Sequence, residues 1–400
     1  ERQGDFTQNY DVAGRLLTVF DPLTQQPFPG NRVPGERFHP TALRLLEYYP
    51  LPNRPGPNNL AVGAVDPDDW DSFSAKLDRR IAGKHSLSFR TVLRDNRTAE
   101  PFNGSDLGTF GQREDNRQQM HALNYTHLFG PTFIQEVRLG MTRTRTFQRS
   151  VHYGQDINAQ LGLPSPGDPR LFGFPRFTIR SFINLGNAAN KPVDFTVNNF
   201  QYATTVTKVS GAKTLKFGAD ILRTQLFQPY FNNNRGTFNF NGRWTADRRG
   251  VEGPADTQGQ RSGAPFADFL LGLLNSTTRQ LGWVDSYLFT TRYGFFAQND
   301  WKVLPSLTLN LGLRYELLKP PVEKSNKLTN FLPGLGRPVL AGEAGFSRSL
   351  VRLDRTDWAP RLGFAWRPLG STRTVIRAAI EDAVGGADHR AGAAQGPPGK

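Results

Sequence analysis

The sequence predicts an all-β fold, a partial antiparallel transmembrane β-barrel of about ten strands with long extracellular loops, on three observations: strict alternation, long strands and unequal connections. Alternation is cleanest over 287–317. There Leu307, Leu309, Leu311, Leu313 and Tyr315 share one face, and Thr308, Asn310, Gly312, Arg314 and Glu316 share the other. Period two without exception excludes a helix, whose faces repeat every 3.6 residues. Just upstream, Tyr287, Phe289, Thr291, Tyr293, Phe295 and Ala297 oppose Thr290, Arg292, Gly294, Gln298 and Asp300. Both runs reach about ten residues or more, the length a tilted strand needs to cross a bilayer, whereas globular strands cluster near about five or six. Pro305 and Ser306 turn the chain between them, since proline removes a ladder donor and both residues favour turns.

Four more hairpins obey the same rule. In the first, Phe73, Ala75, Leu77 and Ile81 alternate with Ser74, Lys76, Asp78 and Arg80, Gly83-Lys84-His85 turns the chain, and Leu87, Phe89, Thr91 and Leu93 return; Arg79 interrupts the apolar row once. Leu123 and Tyr125 lead through Gly130-Pro131-Thr132 to Val137, Leu139 and Met141. Phe200, Tyr202, Thr204 and Val206 lead through 210–213 to Leu215, Phe217, Ala219 and Ile221, and Leu362, Phe364 and Trp366 lead through 368–371 to Thr374, Ile376 and Ala378. These turns span about three to five residues, whereas the connections between hairpins (95–117, 146–197, 227–286, 318–357) are far longer. Short turns on one side and long loops on the other fit periplasmic turns and extracellular loops. A sandwich or propeller has no reason to segregate them.

The remaining segments complete the expected organisation: an irregular Pro/Gly-rich stretch over 1–70 leading into the barrel, barrel hairpins with long loops over 71–381, and a disordered Ala/Gly/Pro-rich tail over 382–400. A short helix is expected within 40–49, ending before Pro50. The chain begins at Glu1 without a start methionine or an apolar leader, so it reads as a fragment.

Composition narrows the function classes. Across 400 residues there are 40 glycines, 29 prolines, 30 phenylalanines and no cysteine, which removes disulfides, thiol catalysis and thiolate metal sites. Mean hydropathy is −0.50, yet this does not exclude a barrel, because half of each strand faces a wet lumen. The net charge of +14 is scattered along the chain without an aromatic-basic module, so no nucleic-acid partner is expected. Nor is an enzyme or a cofactor expected: the six histidines show no HExxH spacing, and neither GxSxG nor a P-loop occurs. His121 and His127 could share a strand face but lack a carboxylate partner. The acidic run over 66–71 lacks the spacing and glycine of a calcium loop.

Three groups of residues are candidates for membrane and solute contact. Phe129 and Trp301 beside short turns, with Tyr287, Phe289 and Tyr315 near the opposite ends, fit interfacial girdles. Arg143 and Arg223 continue apolar faces about ten residues past short turns; mid-membrane each would cost about 2–4 kcal/mol, so the outer rim is their expected place, where lipopolysaccharide phosphates would accept their hydrogen bonds. Arg292, Gln298, Asp300, Arg314 and Glu316 would line the lumen.

Several segments taken together resemble TonB-dependent outer-membrane receptors of the Oar-like kind, which carry a carboxypeptidase-regulatory-like domain ahead of the plug and barrel. They are GDFTQ (4–8), PFPGNRVP (27–34), YYPLPN (48–53), GKHSLSFR (83–90), LKFGADI (215–221), FADFLLGL (266–273), YGFFAQNDWKV (293–303), LTLNLGLRYE (307–316) and APRLGFAW (359–366), in family order over nearly the whole chain. The resemblance implies a larger barrel of about 22 strands with a plug inside, seated in the bacterial outer membrane among lipid and lipopolysaccharide. It also implies an extracellular ligand whose identity is unknown, taken up with energy delivered by TonB through parts outside this sequence. After Arg377 the chain departs from the family pattern, with Ala378-Ala379-Ile380 where a Gly- and Tyr-rich strand would continue. Adhesion or surface signalling without transport is the alternative, and a soluble carbohydrate-binding β protein a second.

Overall fold

The computed structural model describes residues 1–11, 14–56, 59–102, 107–249, 262–282, 284–343, 345–368 and 374–381; the tail expected over 382–400 lies outside them. In chain order the elements are α1 (Pro40–Leu46), β1 (Asp68–Ile81), β2 (His85–Glu100), β3 (Gln112–Gly130), β4 (Phe133–Ser150), α2 (Ile157–Gln160), β5 (Arg176–Ile179), β6 (Val193–Ser210), β7 (Lys213–Tyr230), β8 (Thr237–Phe240), α3 (Pro265–Leu270), β9 (Ser276–Thr278), β10 (Val284–Leu304), β11 (Leu307–Glu323), β12 (Thr329–Leu332), β13 (Arg337–Leu340), β14 (Trp358–Trp366) and β15 (Ile376–Glu381). Ten of the strands form one antiparallel sheet in the order β1-β2-β3-β4-β6-β7-β10-β11-β14-β15. It is an open wall, with β1 and β15 as edges. Open edges expose unpaired backbone groups, as expected of part of a larger barrel.

The five hairpins are those the alternation predicts. Gly211 takes a φ of +57° in the two-residue turn between β6 and β7, the left-handed backbone that tight hairpin turns demand. Pro131-Thr132 and Pro305-Ser306 turn the chain equally tightly, each beside a register shift that absorbs the proline's missing donor. The eight wall strands from β1 to β11 run from 14 residues in β1 to 21 in β10, while β14 and β15 have 9 and 6. About ten residues are needed to cross a bilayer, so these eight extend well past one.

At the end of the wall remote from the short turns, 1–66 and the two longest connections share one apolar core. Phe6, Val19 and Leu45 from the first segment, Phe110 after β2, Phe174 and Ile179 from the β4–β6 connection, and Phe269 and Leu270 from the β7–β10 connection are all buried there. A three-stranded sheet, β5-β8-β9, runs through this cap, with β5 and β8 parallel. The 1–66 stretch is therefore more than an approach to β1. It supplies α1, which ends at Leu46, short of the predicted limit, and His39 N–H donates to the Leu270 carbonyl of α3 at 2.8 Å. A smaller core of Leu332, Val339, Ala341 and Leu350 folds the β11–β14 connection around the β12–β13 hairpin.

Candidate functional site

The wall has two chemically distinct faces. Whereas β1 carries Arg79 close to its turn, five strands carry on the apolar face a stretch free of charge between the short turn and the first ionic residue. It runs from His85 to Asp95 in β2, His127 back to Arg117 in β3, Phe133 to Arg143 in β4, Lys213 to Arg223 in β7 and Leu309 to Lys319 in β11. A common stretch of about ten residues, rising about 3.4 Å each and tilted about 40°, gives a belt roughly 25 Å tall. Large apolar side chains stand uncovered within it, Phe217 at 48% exposure and Leu313 at 45%. A continuous apolar surface of this extent needs a nonaqueous neighbour.

Above the belt the same face turns ionic. Arg117 meets Asp95 at 3.2 Å, Arg145 meets Asp194 at 3.3 Å, and Arg149 pairs with Asp115. Arg143 Nη1 donates to Asn198 Oδ1 at 3.3 Å, and the Arg223 guanidinium lies 5.7 Å over the Phe289 ring. On β4 and β7 these two arginines are the first ionic residues past the charge-free stretch. Of the predicted girdle residues, Phe129 and Trp301 lie beside short turns, and Tyr315 lies within the belt, its ring 4.4 Å from that of Trp358. Phe289 and Tyr287 stand above the level of Arg223, with Tyr287 packed 4.5 Å from Phe227.

The opposite face is polar and cross-linked. Arg292 reaches Asp220 at 3.4 Å, and Gln201 donates to the same carboxylate at 2.8 Å. Asp300 accepts from Gln298 at 3.2 Å and from Asn310 at 2.6 Å, while Arg314 Nε donates to Glu316 at 2.7 Å. The five predicted wall residues therefore share one face. Sequence reading missed Asp220 and Gln201, whose alternation within their own strands placed them opposite the apolar row. It also missed Phe296, whose ring lies over Gly218, where an added Cβ would come within 2.6 Å of the ring.

Two buried ionic groups hold the cap. Asp268 on α3 accepts from Thr245 N–H at 3.0 Å, Thr245 hydroxyl at 2.8 Å and Trp244 N–H at 3.2 Å. Burial pushes its carboxyl up to about 6, against the opposite pull of those hydrogen bonds. Arg235 donates to the carbonyls of Lys191 at 2.7 Å, Ala188 at 2.9 Å and Phe174 at 3.2 Å. Lys191 in turn ties the cap to the polar face of the wall: its ammonium donates to Gln148, which donates to Glu114 at 2.5 Å.

Among the described residues the histidines do not converge on a metal-binding geometry. His121 Nδ1 lies 3.0 Å from Thr91 Oγ1, and His127 stacks on His85 with centroids 4.3 Å apart. Among the described residues there is no group of three or more potential His, Cys or carboxylate ligands. The acidic run enters β1 as strand, with Asp71 opposite Asp95 and Asp69 opposite Arg97.

No curated protein matches the sequence. Among solved structures, the chain is similar to the outer-membrane transporter YddB from Escherichia coli, with 10% identity and a TM-score of 0.45, covering 81% of this chain and 33% of that one. It is similar to the copper transporter OprC (11% identity, TM-score 0.41, 79% of this chain and 37% of that one). It is also similar to the alcaligin outer-membrane receptor FauA from Bordetella pertussis (8% identity, TM-score 0.38, 76% and 34%). The chain thus spans about a third of the length of these proteins. The family model described as an outer membrane beta barrel domain matches residues 1–386, and with a ten-stranded wall bearing an apolar belt on one face, the chain belongs to that family and forms part of a β-barrel of the bacterial outer membrane.

Proposed function

We propose that this chain is the wall and outer-loop portion of a TonB-dependent receptor of the Oar-like kind, capturing a solute at the cell surface and admitting it through a plugged lumen. The observation that carries the reading is the cap: long connections from distant parts of the chain fold onto one apolar core at one end of the wall. Loops held rigidly on a scaffold are where recognition is built. The segments quoted above for the Oar-like resemblance support the subtype and the dependence on TonB. In this reading the belt, with Phe129 and Trp301 as girdle residues at its short-turn end, faces lipid, and the face with Arg292, Gln298, Asp300, Arg314 and Glu316 lines the lumen and meets the plug.

Comparing which solutes cells remove from their medium with and without the receptor, each with and without TonB, tests this. Depletion requiring both supports energised uptake, while depletion that persists without TonB rejects it. Adhesion is the second reading, favoured by the buried ties of Arg235 and Asp268, which suit static display; binding at the cell surface without depletion would select it.

The upper rim carries a narrower proposal. Arg143, held only by an amide, and Arg223, held against a ring, have no carboxylate partner among the described residues, and lipopolysaccharide phosphates supply the charge-assisted acceptors they lack. Replacing both with alanine should lower the lipopolysaccharide retained through purification several-fold, by about 1 kcal/mol per arginine. Unchanged retention removes the contact.

A further inference from the structure

The short-turn rim of the apolar face differs from the upper rim in charge. Above the belt, arginines pair with Asp95, Asp115 and Asp194. At the short turns, from β2 to β10, the rim-most positions of the apolar face carry lysines and aromatic rings and, among the described residues, no carboxylate. His85, His127, Phe129 and Phe133 form a continuous row across β2, β3 and β4, with successive ring centroids 4.3, 3.9 and 4.6 Å apart. Lys208 Nζ continues it, 5.4 Å over the Phe133 ring, and Lys213 Nζ lies 4.6 Å over the Trp301 ring.

The two lysines flank one tight turn, with Ser210 paired to Lys213 and Lys208 to Leu215, so both ammonium groups emerge between Phe133 and Trp301. Neither forms an ion pair or a side-chain hydrogen bond with a described residue. Ring faces attract a cation by their quadrupole but accept none of its hydrogen bonds in the way an anionic oxygen does. An ammonium held against rings therefore keeps its full donor capacity, at the depth where lipid headgroups begin.

We propose that the Lys208–Lys213 hairpin tip, with Phe133 and Trp301 on either side, binds the phosphodiester of an anionic phospholipid of the periplasmic leaflet. The ammonium groups donate to the phosphate oxygens while the rings pack on the glycerol and the first acyl carbons. A lipid is favoured over a free phosphate because the lysines border an apolar belt that an acyl chain would cover. The proposal rests on the belt facing lipid.

The test uses protein extracted from outer membranes and placed in phosphatidylcholine nanodiscs with or without phosphatidylglycerol. Spin-labelled phosphatidylglycerol should be immobilised in preference to spin-labelled phosphatidylcholine. That preference should fall by about five-fold for each lysine replaced in Lys208→Gln and Lys213→Gln, should survive Lys208→Arg with Lys213→Arg, and should not be competed away by inorganic phosphate. Equal immobilisation of the two lipids by the unaltered protein, an undiminished preference in the double glutamine variant, or displacement by inorganic phosphate overturns it. Quenching of Trp301 fluorescence by brominated phosphatidylcholine, taken as the difference from Trp301→Phe, reads the facing of the belt independently of headgroup charge. Quenching without headgroup preference sinks the lipid site alone, and absence of quenching sinks the facing as well.

Discussion

Replacing Arg235 by methionine should loosen the cap by about 3–5 kcal/mol while leaving the wall intact. Arg235 is 4% exposed, and its guanidinium is satisfied by carbonyls of Phe174, Ala188 and Lys191, with Leu171 farther off at 3.5 Å. Burial pushes its pKa down to about 10, so it stays cationic at neutral pH and its bonds are charge-assisted. Methionine fills much of the volume but donates nothing, and each buried carbonyl left alone costs about 1–3 kcal/mol. Hydrogen exchange should therefore accelerate across 171–191 and 233–240, while ladder amides of β3 and β4 in the belt keep their protection. Unchanged exchange in those cap segments would show that the apolar core alone holds it.

The same measurement reads Asp268. Its folded pKa of about 6 lies above the ordinary 3.8, so the folded cap binds the proton more tightly than the unfolded chain. Its contribution to stability is then full below about 3.8 and is lost as pH rises through about 6. Exchange of α3 amides, corrected for intrinsic rate, should slow on moving from neutral pH to below 6, and Asp268→Asn should remove that dependence.

The wall was legible in the sequence because a strand's two faces are written locally. Leu307 to Tyr315 declare their face without reference to any other segment, and tight turns at Pro131 and Pro305 mark themselves by chemistry. The cap was not legible, since Phe6, Phe110, Phe174 and Phe269 meet only through tertiary contacts and share no period. One local signal was available: Pro265 at the first position of α3 and Asp268 in its first turn fit a helix start, inside the apolar run 266–273. Cross-strand partners were equally hidden. Alternation places Asp220 and Arg292 on polar faces, but only register brings them to 3.4 Å. The pairing of Lys213 with Trp301 depends on the same register.

Tyr202→Arg and the neighbouring Gln201→Arg should differ in cost by about 2–4 kcal/mol, because the two side chains stand on opposite faces of β6 at the same height. Tyr202 is 49% exposed, opposite Leu139 and Ile221, well inside the belt between Lys208 and Asn198. An arginine there enters hydrocarbon at depth. Gln201 donates to Asp220, and an arginine in its place keeps that acceptor and gains its charge, so the change should stay within about 0.5 kcal/mol. Denaturant unfolding of the protein refolded into vesicles, followed by the heat-dependent gel shift of a folded barrel, measures both. Equal costs would mean that neither face meets lipid at this height, whereas a larger cost at Gln201 would exchange the two faces and turn Arg292, Arg314 and Glu316 toward the membrane. That second outcome is opposed by the wall itself: facing lipid, those charges would lie in hydrocarbon with only Asp220 and each other to offset their desolvation.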